Sequence, residues 1–130
     1  MPSDSKIPDE LVPYAGKLSP RFYEVRERVI RFCEDVVQPS RVTYDAERAE
    51  LLKTVDHPVH CPEPPVVNAL RDEAKKAGLY NLFLPEICGL SVLEYSPIAE
   101  LLGAFPLANI AMNCAAPDTG AMRYRFIDNY

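Results

Sequence analysis

Phe22, Val25, Val29, Phe32 and Val36 recur at intervals of three and four residues, while Arg21, Glu24, Arg28, Arg31 and Asp35 occupy positions between them. An α-helix turns about 100° per residue, so this spacing gathers the apolar side chains on one stripe and predicts an amphipathic helix. Ser19 followed by Pro20 sets its start, an N-cap before a proline at the first helical position. Pro39 lacks an amide and disfavours helical backbone at Gln38, which predicts an end near Val37. Tyr44, Arg48, Leu51 and Leu52 suggest a second helix over 44–54, with Glu47 and Glu50 or Lys53 on the wet side. Residues 55–65 (VDHPVHCPEPP) hold four prolines and are expected to form an extended connector.

Pro65 opens the next predicted helix, in which Val66, Val67, Leu70, Ala74 and Ala77 share a face and Gly78 supplies a left-handed terminus. The nearly continuous apolar run at 79–90 (LYNLFLPEICGL), broken by Pro85 and Gly89, suits a buried irregular segment. Ser91 and Glu94 have the spacing of a capping box. The helix they start contains Pro97, which implies either a kink or a start nearer Tyr95. Its apolar face continues through Ile98, Leu101 and Leu102 to Gly103, and Pro106 seals the stop. Small and apolar residues fill 107–116, Pro117-Asp118 reads as a turn, and a helical pattern restarts at Thr119. Residues 1–18 are polar, with three prolines and no periodicity, and are expected to be a mobile lead-in adding little to the core. The fold class is all-α, with four to six helices.

Composition narrows the role. At 130 residues, 48% hydrophobic and 25% charged, the chain suits one folded domain. Asp and Glu outnumber Lys and Arg by 19 to 14, without a basic run, so nucleic acid is not expected as a partner. No apolar stretch is long enough for a membrane span, and the N-terminus has neither a secretory nor an Arg-rich transit pattern, so the expected location is intracellular. Cys33, Cys61, Cys88 and Cys114 are widely separated, without a CxxC pair, and read as reduced buried thiols.

Little in the residues points to chemistry. Asp56, His57, His60 and Cys61 are the one cluster of metal-capable side chains, but prolines at 58 and 62 constrain it and a fourth soft ligand is missing nearby, so no metal site is expected. Glu34-Asp35 and Asp72-Glu73 diverge by about 100° on their helices and read as solvated faces. Glu86, inside an apolar run, has the context of a perturbed carboxylate, and a structural role is the expectation there too. Nucleotide-cradle and nucleophile-elbow motifs are absent. No catalytic and no cofactor-binding residue is assigned.

From residue 65 onward the words AGLYNLFLPE, LEYSPIAELLG and NCAAPDTGAM resemble the acyl-CoA dehydrogenase family. The likeness spans about Phe32 to Met122. It includes Glu34 to Pro39, Gly78-Leu79-Tyr80-Asn81, Pro85-Glu86, Gly89, Glu94-Tyr95, Glu100 and Gly103. It implies an N-terminal-type helical domain over 19–122, with 1–18 as lead-in and 123–130 as an atypical tail. After Gly120-Ala121-Met122 the family continues with an MEVL-x-RYG-like helix, whereas this chain reads RYRFIDNY; a shifted reading frame or a retained intron would give such a tail.

Members of the family bind FAD and oxidise the CH–CH bond of an acyl-CoA in fatty acid β-oxidation. The resemblance implies that the flavin site and the catalytic carboxylate belong to a middle β domain and a C-terminal helical domain. The chain alone is therefore expected to be inactive and not to retain FAD. What it implies for this segment is one wall of the acyl pocket, on a helix over Leu107 to Ala116, with Asn109, Met112, Asn113 and Ala116 as candidates. The other reading of these four is ordinary helix packing. The resemblance also implies a mitochondrial or peroxisomal setting. The alternative function is a non-catalytic helical module, docking on a full-length relative or self-associating through exposed apolar surface.

Overall fold

The computed structural model describes residues 8–114, and Ala116, the Pro117-Asp118 turn and the tail lie outside the described residues. All regular structure among them is helical: α1 (Pro20–Phe32), α2 (Gln38–Leu52), α3 (Val66–Lys76), the single turn α4 (Pro85–Cys88), α5 (Val92–Leu102) and α6 (Pro106–Ala111). The expected all-α class holds. No helix among the described residues is long and apolar enough to cross a membrane.

Ser19 caps α1 as its sequence predicts, its side chain accepting from the Phe22 amide. Phe22, Val25, Val29 and Phe32 point into the core. The predicted stop before Pro39 does not occur. Cys33–Val37 forms a π turn, in which the Gln38 amide donates to the Cys33 carbonyl five residues back, and α2 follows directly. In an unbroken α-helix the Pro39 ring would strike the Asp35 carbonyl. The additional residue in the π turn rotates that carbonyl row away, so the chain passes the proline without leaving the helix. Helix α2 therefore starts six residues before the predicted 44.

Glu47 is not on the wet side of α2 as predicted. It is half-buried and accepts from the Val66 amide at 2.9 Å, closing the N-terminus of α3 from a neighbouring helix. The connector includes a 3-10 turn at Pro58–His60 rather than being wholly extended. Helix α3 ends as expected: Gly78 has φ 72°, Leu79 donates to the Ala74 carbonyl and Gly78 to that of Lys75. This pair of bonds is a Schellman terminus. The Arg28 guanidinium adds a bond to the Ala77 carbonyl.

The apolar run at 79–90 lies inside, with Leu79, Leu82, Leu84 and Leu90 all at most 2% exposed. Helix α5 starts at Val92, with Pro97 within it, which resolves the two starts left open by the sequence. The carbonyl opposite that proline belongs to Leu93, which is 43% exposed and so open to water. The N-terminal lead-in adds more to the core than expected, and Pro106 does more than seal a stop. Asp9–Tyr14 forms a 3-10 helix whose Leu11 is 1% exposed within the core, because one apolar residue suffices to seat a polar segment. Pro106 both stops α5 and occupies the first position of α6.

Glu94 is the buried charged residue among those described, at 8% exposure. Its Oε1 accepts from the Ser91 amide at 3.2 Å, completing the box at the start of α5. Its Oε2 accepts from the Ser19 amide at 2.9 Å and the Ser19 hydroxyl at 2.5 Å, at the start of α1. Burial pushes the Glu94 pKa up, but the bonds from Ser19 and Ser91 outweigh it and hold the carboxyl below its ordinary 4.5. A carboxyl depressed on folding stabilises the fold above its unfolded pKa and ceases to do so as pH falls through its folded value. Glu94→Gln should cost about 1–3 kcal/mol at neutral pH by urea unfolding. Its penalty should shrink as pH falls below the ordinary carboxyl value of 4.5 and through the lower folded one; a penalty independent of pH would refute the ionised staple.

Candidate functional site

An apolar concavity among the described residues lies where the start of α2 faces α6. Val37, Gln38, Arg41 and Tyr44 form one wall, and Phe105, Leu107 and Ile110 the other, around a space of about 150 Å³. Its floor is apolar, and its rim carries the Arg41–Asp45 pair at 3.9 Å, both side chains well exposed. Such an exposed pair contributes little to stability. The π turn sets the phase at which α2 presents Tyr44 and Arg41 here, and a stop at Pro39 leaves that phase undefined. Tyr44 was legible as part of an apolar face, but not as facing a space.

The four candidate wall residues fare differently. Helix α6 ends at Ala111 rather than running to Ala116. Met112 is fully buried in the core, and Ala116 lies outside the described residues. Asn109 is half-buried, and its carbonyl accepts from the Cys114 amide at 2.9 Å. Asn113 is also half-buried and takes the left-handed conformation at φ 56°, which ends the helix. Its Nδ2 donates to Asn81 Oδ1 at 2.8 Å, and Asn81, itself at φ 64°, donates its amide to the Met112 carbonyl at 2.9 Å. The structure thus brings Asn113 onto the turn after α3, and none of Asn109, Met112 and Asn113 lines the groove.

The other sequence candidates are dispersed. His60 Nδ1 lies 2.9 Å from the Asp56 carboxylate, the two histidine rings are 6.1 Å apart, and all three side chains are exposed. No three metal-capable side chains converge among the described residues. Glu86 is exposed on α4, not set in an apolar pocket as its sequence context suggested. Cys33, Cys88 and Cys114 are buried free thiols, and Cys61 is half-buried. Burial pushes the Cys33 thiol up to about 11, with the Glu34 charge adding to it, and also raises Cys88 and Cys114. These are protonated, poorly nucleophilic sulfurs at neutral pH. Burial, then the Cys114 sulfur, raises Tyr95 in the same way.

The helix starts offer nothing to a phosphate. Helices α1, α4 and α6 begin on prolines, which have no amide. The starts of α1, α3 and α5 are closed by Ser19, Glu47 and Ser91 with Glu94. Gly78, Gly89 and Gly103 stand singly, each at a helix end, and Gly16 in an exposed turn, so no glycine-rich loop opens a helix. A dinucleotide pyrophosphate needs such free amides, and the described residues do not fit one.

Fold and site together define a helical bundle with an open apolar flank and no assembled reaction centre among the described residues. Its relatives supply the family. Over 106 residues the chain is 39% identical to the probable acyl-CoA dehydrogenase FadE2 of Mycobacterium tuberculosis, covering 81% of this chain and 25% of that protein. It is 38% identical over 107 residues to acyl-CoA dehydrogenase family member 11 of Rattus norvegicus, covering 80% of this chain and 13% of the relative. The probable acyl-CoA dehydrogenase IBR3 of Arabidopsis thaliana is 26% identical over 144 residues. The chain belongs to the acyl-CoA dehydrogenase family, and it spans a quarter or less of the length of these relatives. No family model matches, and neither does any solved structure.

The paired asparagines make a direct test of the turn geometry. Left-handed backbone costs a residue with a Cβ roughly 1–2 kcal/mol, and a side-chain hydrogen bond contributes about 1 kcal/mol. Asn113→Ala should therefore lose about 2 kcal/mol in urea unfolding, and Asn113→Gly distinctly less. Equal losses would mean that Asn113 does not hold this conformation.

Proposed function

We propose that the chain is the N-terminal helical part of a flavin-dependent acyl-CoA dehydrogenase, which oxidises the CH–CH bond of an acyl-CoA, and that by itself it is inactive. The observation that carries this reading is the family relationship over four-fifths of the chain against a quarter or less of the relatives' length. The chemistry of the bundle supports it. Abstracting a proton beside a thioester needs a carboxylate free to act as base, held against the substrate and near a hydride acceptor. The buried carboxylate here, Glu94, is committed to three donors from Ser19 and Ser91. When bound, FAD would take up the hydride; the residues that hold it are expected elsewhere in such an enzyme. Asn109 and Asn113 remain the candidates for a wall facing the acyl chain, with Met112 supporting them from the core. A mitochondrial or peroxisomal place in fatty acid β-oxidation belongs to the same reading.

A second reading, a non-catalytic module docking on a full-length relative, is favoured by the open apolar groove between α2 and α6. The two readings share one expectation about the isolated chain. Mixed with FAD and an acyl-CoA and then desalted, it should keep no flavin absorbance and reduce no electron acceptor. Stoichiometric flavin or turnover would overturn both. Pull-down with a full-length relative separates them, since the module reading requires a stable complex that groove substitutions such as Ile110→Asp abolish.

A further inference from the structure

We propose that Asp9–Tyr14 is a strap that opens as a unit of its own, pivoting at Gly16, and that its release widens a cleft between α1 and α5 while the bundle stays folded. The bonds that hold the strap fall into two kinds. Its main-chain bonds are all local: Leu11 donates to the Pro8 carbonyl, Ala15 to that of Val12 and Lys17 to that of Tyr14. Among the described residues no main-chain bond ties it to another helix. Its attachments to the bundle include the buried Leu11 side chain and the Glu10–Arg26 ion pair at 2.9 Å.

The ion pair is weak as an anchor, because Glu10 is 57% exposed. One apolar side chain therefore carries most of the attachment. The segment after the strap suits a pivot. Ala15, Gly16 and Lys17 are exposed, Gly16 has φ 77°, and a Cβ added there would meet nothing within 4 Å, so no neighbour restrains it. Beyond the pivot the chain is fixed, because Ser19 is tied through both its amide and its hydroxyl to Glu94. Motion of the strap thus stops at Ser19 and need not disturb α1.

The packing beside the strap is not solid. A partly open space of about 150 Å³ adjoins it, bounded by Glu10, Leu11, Arg26, Pro97, Glu100 and Leu101. Removal of Leu11 joins this space to the seat that its side chain fills and presents an apolar cleft with one cation and one carboxylate at its edge. A segment with few buried contacts, local hydrogen bonds and an unrestrained glycine has the physical character of a low-stability opening unit.

Hydrogen exchange resolved to single amides tests this on the full chain. The Leu11, Ala15 and Lys17 amides should exchange on the order of 100-fold faster than core amides of α1 and α5, since local opening needs far less free energy than global unfolding. Leu11→Ala should speed those three roughly tenfold further, leave the Phe22 and Ile98 amides unchanged, and bind a hydrophobic dye with native helical circular dichroism. Strap amides as slow as those of α1 in the parent chain would overturn the proposal, whatever the fate of the variant. So would a Leu11→Ala variant in which strap and core amides accelerate together.

Discussion

One carboxylate closes the starts of two helices that lie far apart in sequence. Glu94 sits at the third position of α5, completes the box with Ser91, and takes two further bonds from Ser19 at the head of α1. Both helices present the positive end of their dipoles to it, which offsets part of the cost of burying a charge without a cation beside it. The contact spans 75 residues of chain and fixes α1 against α5 at their ends. Once that is set, Phe22 and Val25 meet Ile98 and Leu102 in a common core, and the segment between α3 and α5 has to fold inside it.

The same device recurs elsewhere in the bundle. Glu47 on α2 closes α3, Arg28 on α1 meets the α3 terminus, and Arg21 Nε donates to the Cys88 carbonyl at the end of α4 at 3.4 Å. Orphan groups at these helix ends are thus answered by charged side chains from other helices as well as by residues beside them. This has a functional consequence. Charged groups that tie helix ends together are not available to bind phosphate or move protons, which is in keeping with the proposed reading of these helices as a frame.

Local rules made much of this legible. Ser19-Pro20, Gly78 and the Ser91–Glu94 box marked helix ends correctly because each acts through its own few neighbours. The family resemblance was legible in the words after residue 65, which are short and specific. Pro39 misled because a π turn lets a helix absorb a proline, and nothing in the local spacing distinguishes that from a stop. Glu47, Glu94's second role and the Glu10–Arg26 pair depend on partners from 16 to 75 residues away, and so are hidden from any reading of periodicity. The helix expected over 107–116 stops before Asn113 for a related reason: the left-handed turn of Asn113 is held by Asn81, on a different element.

The central claim is that the Glu94 carboxylate belongs to the fold and not to a reaction. A double-mutant cycle on Ser19→Ala and Glu94→Gln, read by urea unfolding at neutral pH, measures that directly. A coupling of about 1–3 kcal/mol between the two changes is expected for charge-assisted bonds at this depth. Losses that add to within about 0.5 kcal/mol would mean the two helix starts are not held by this carboxylate, and the account would fail.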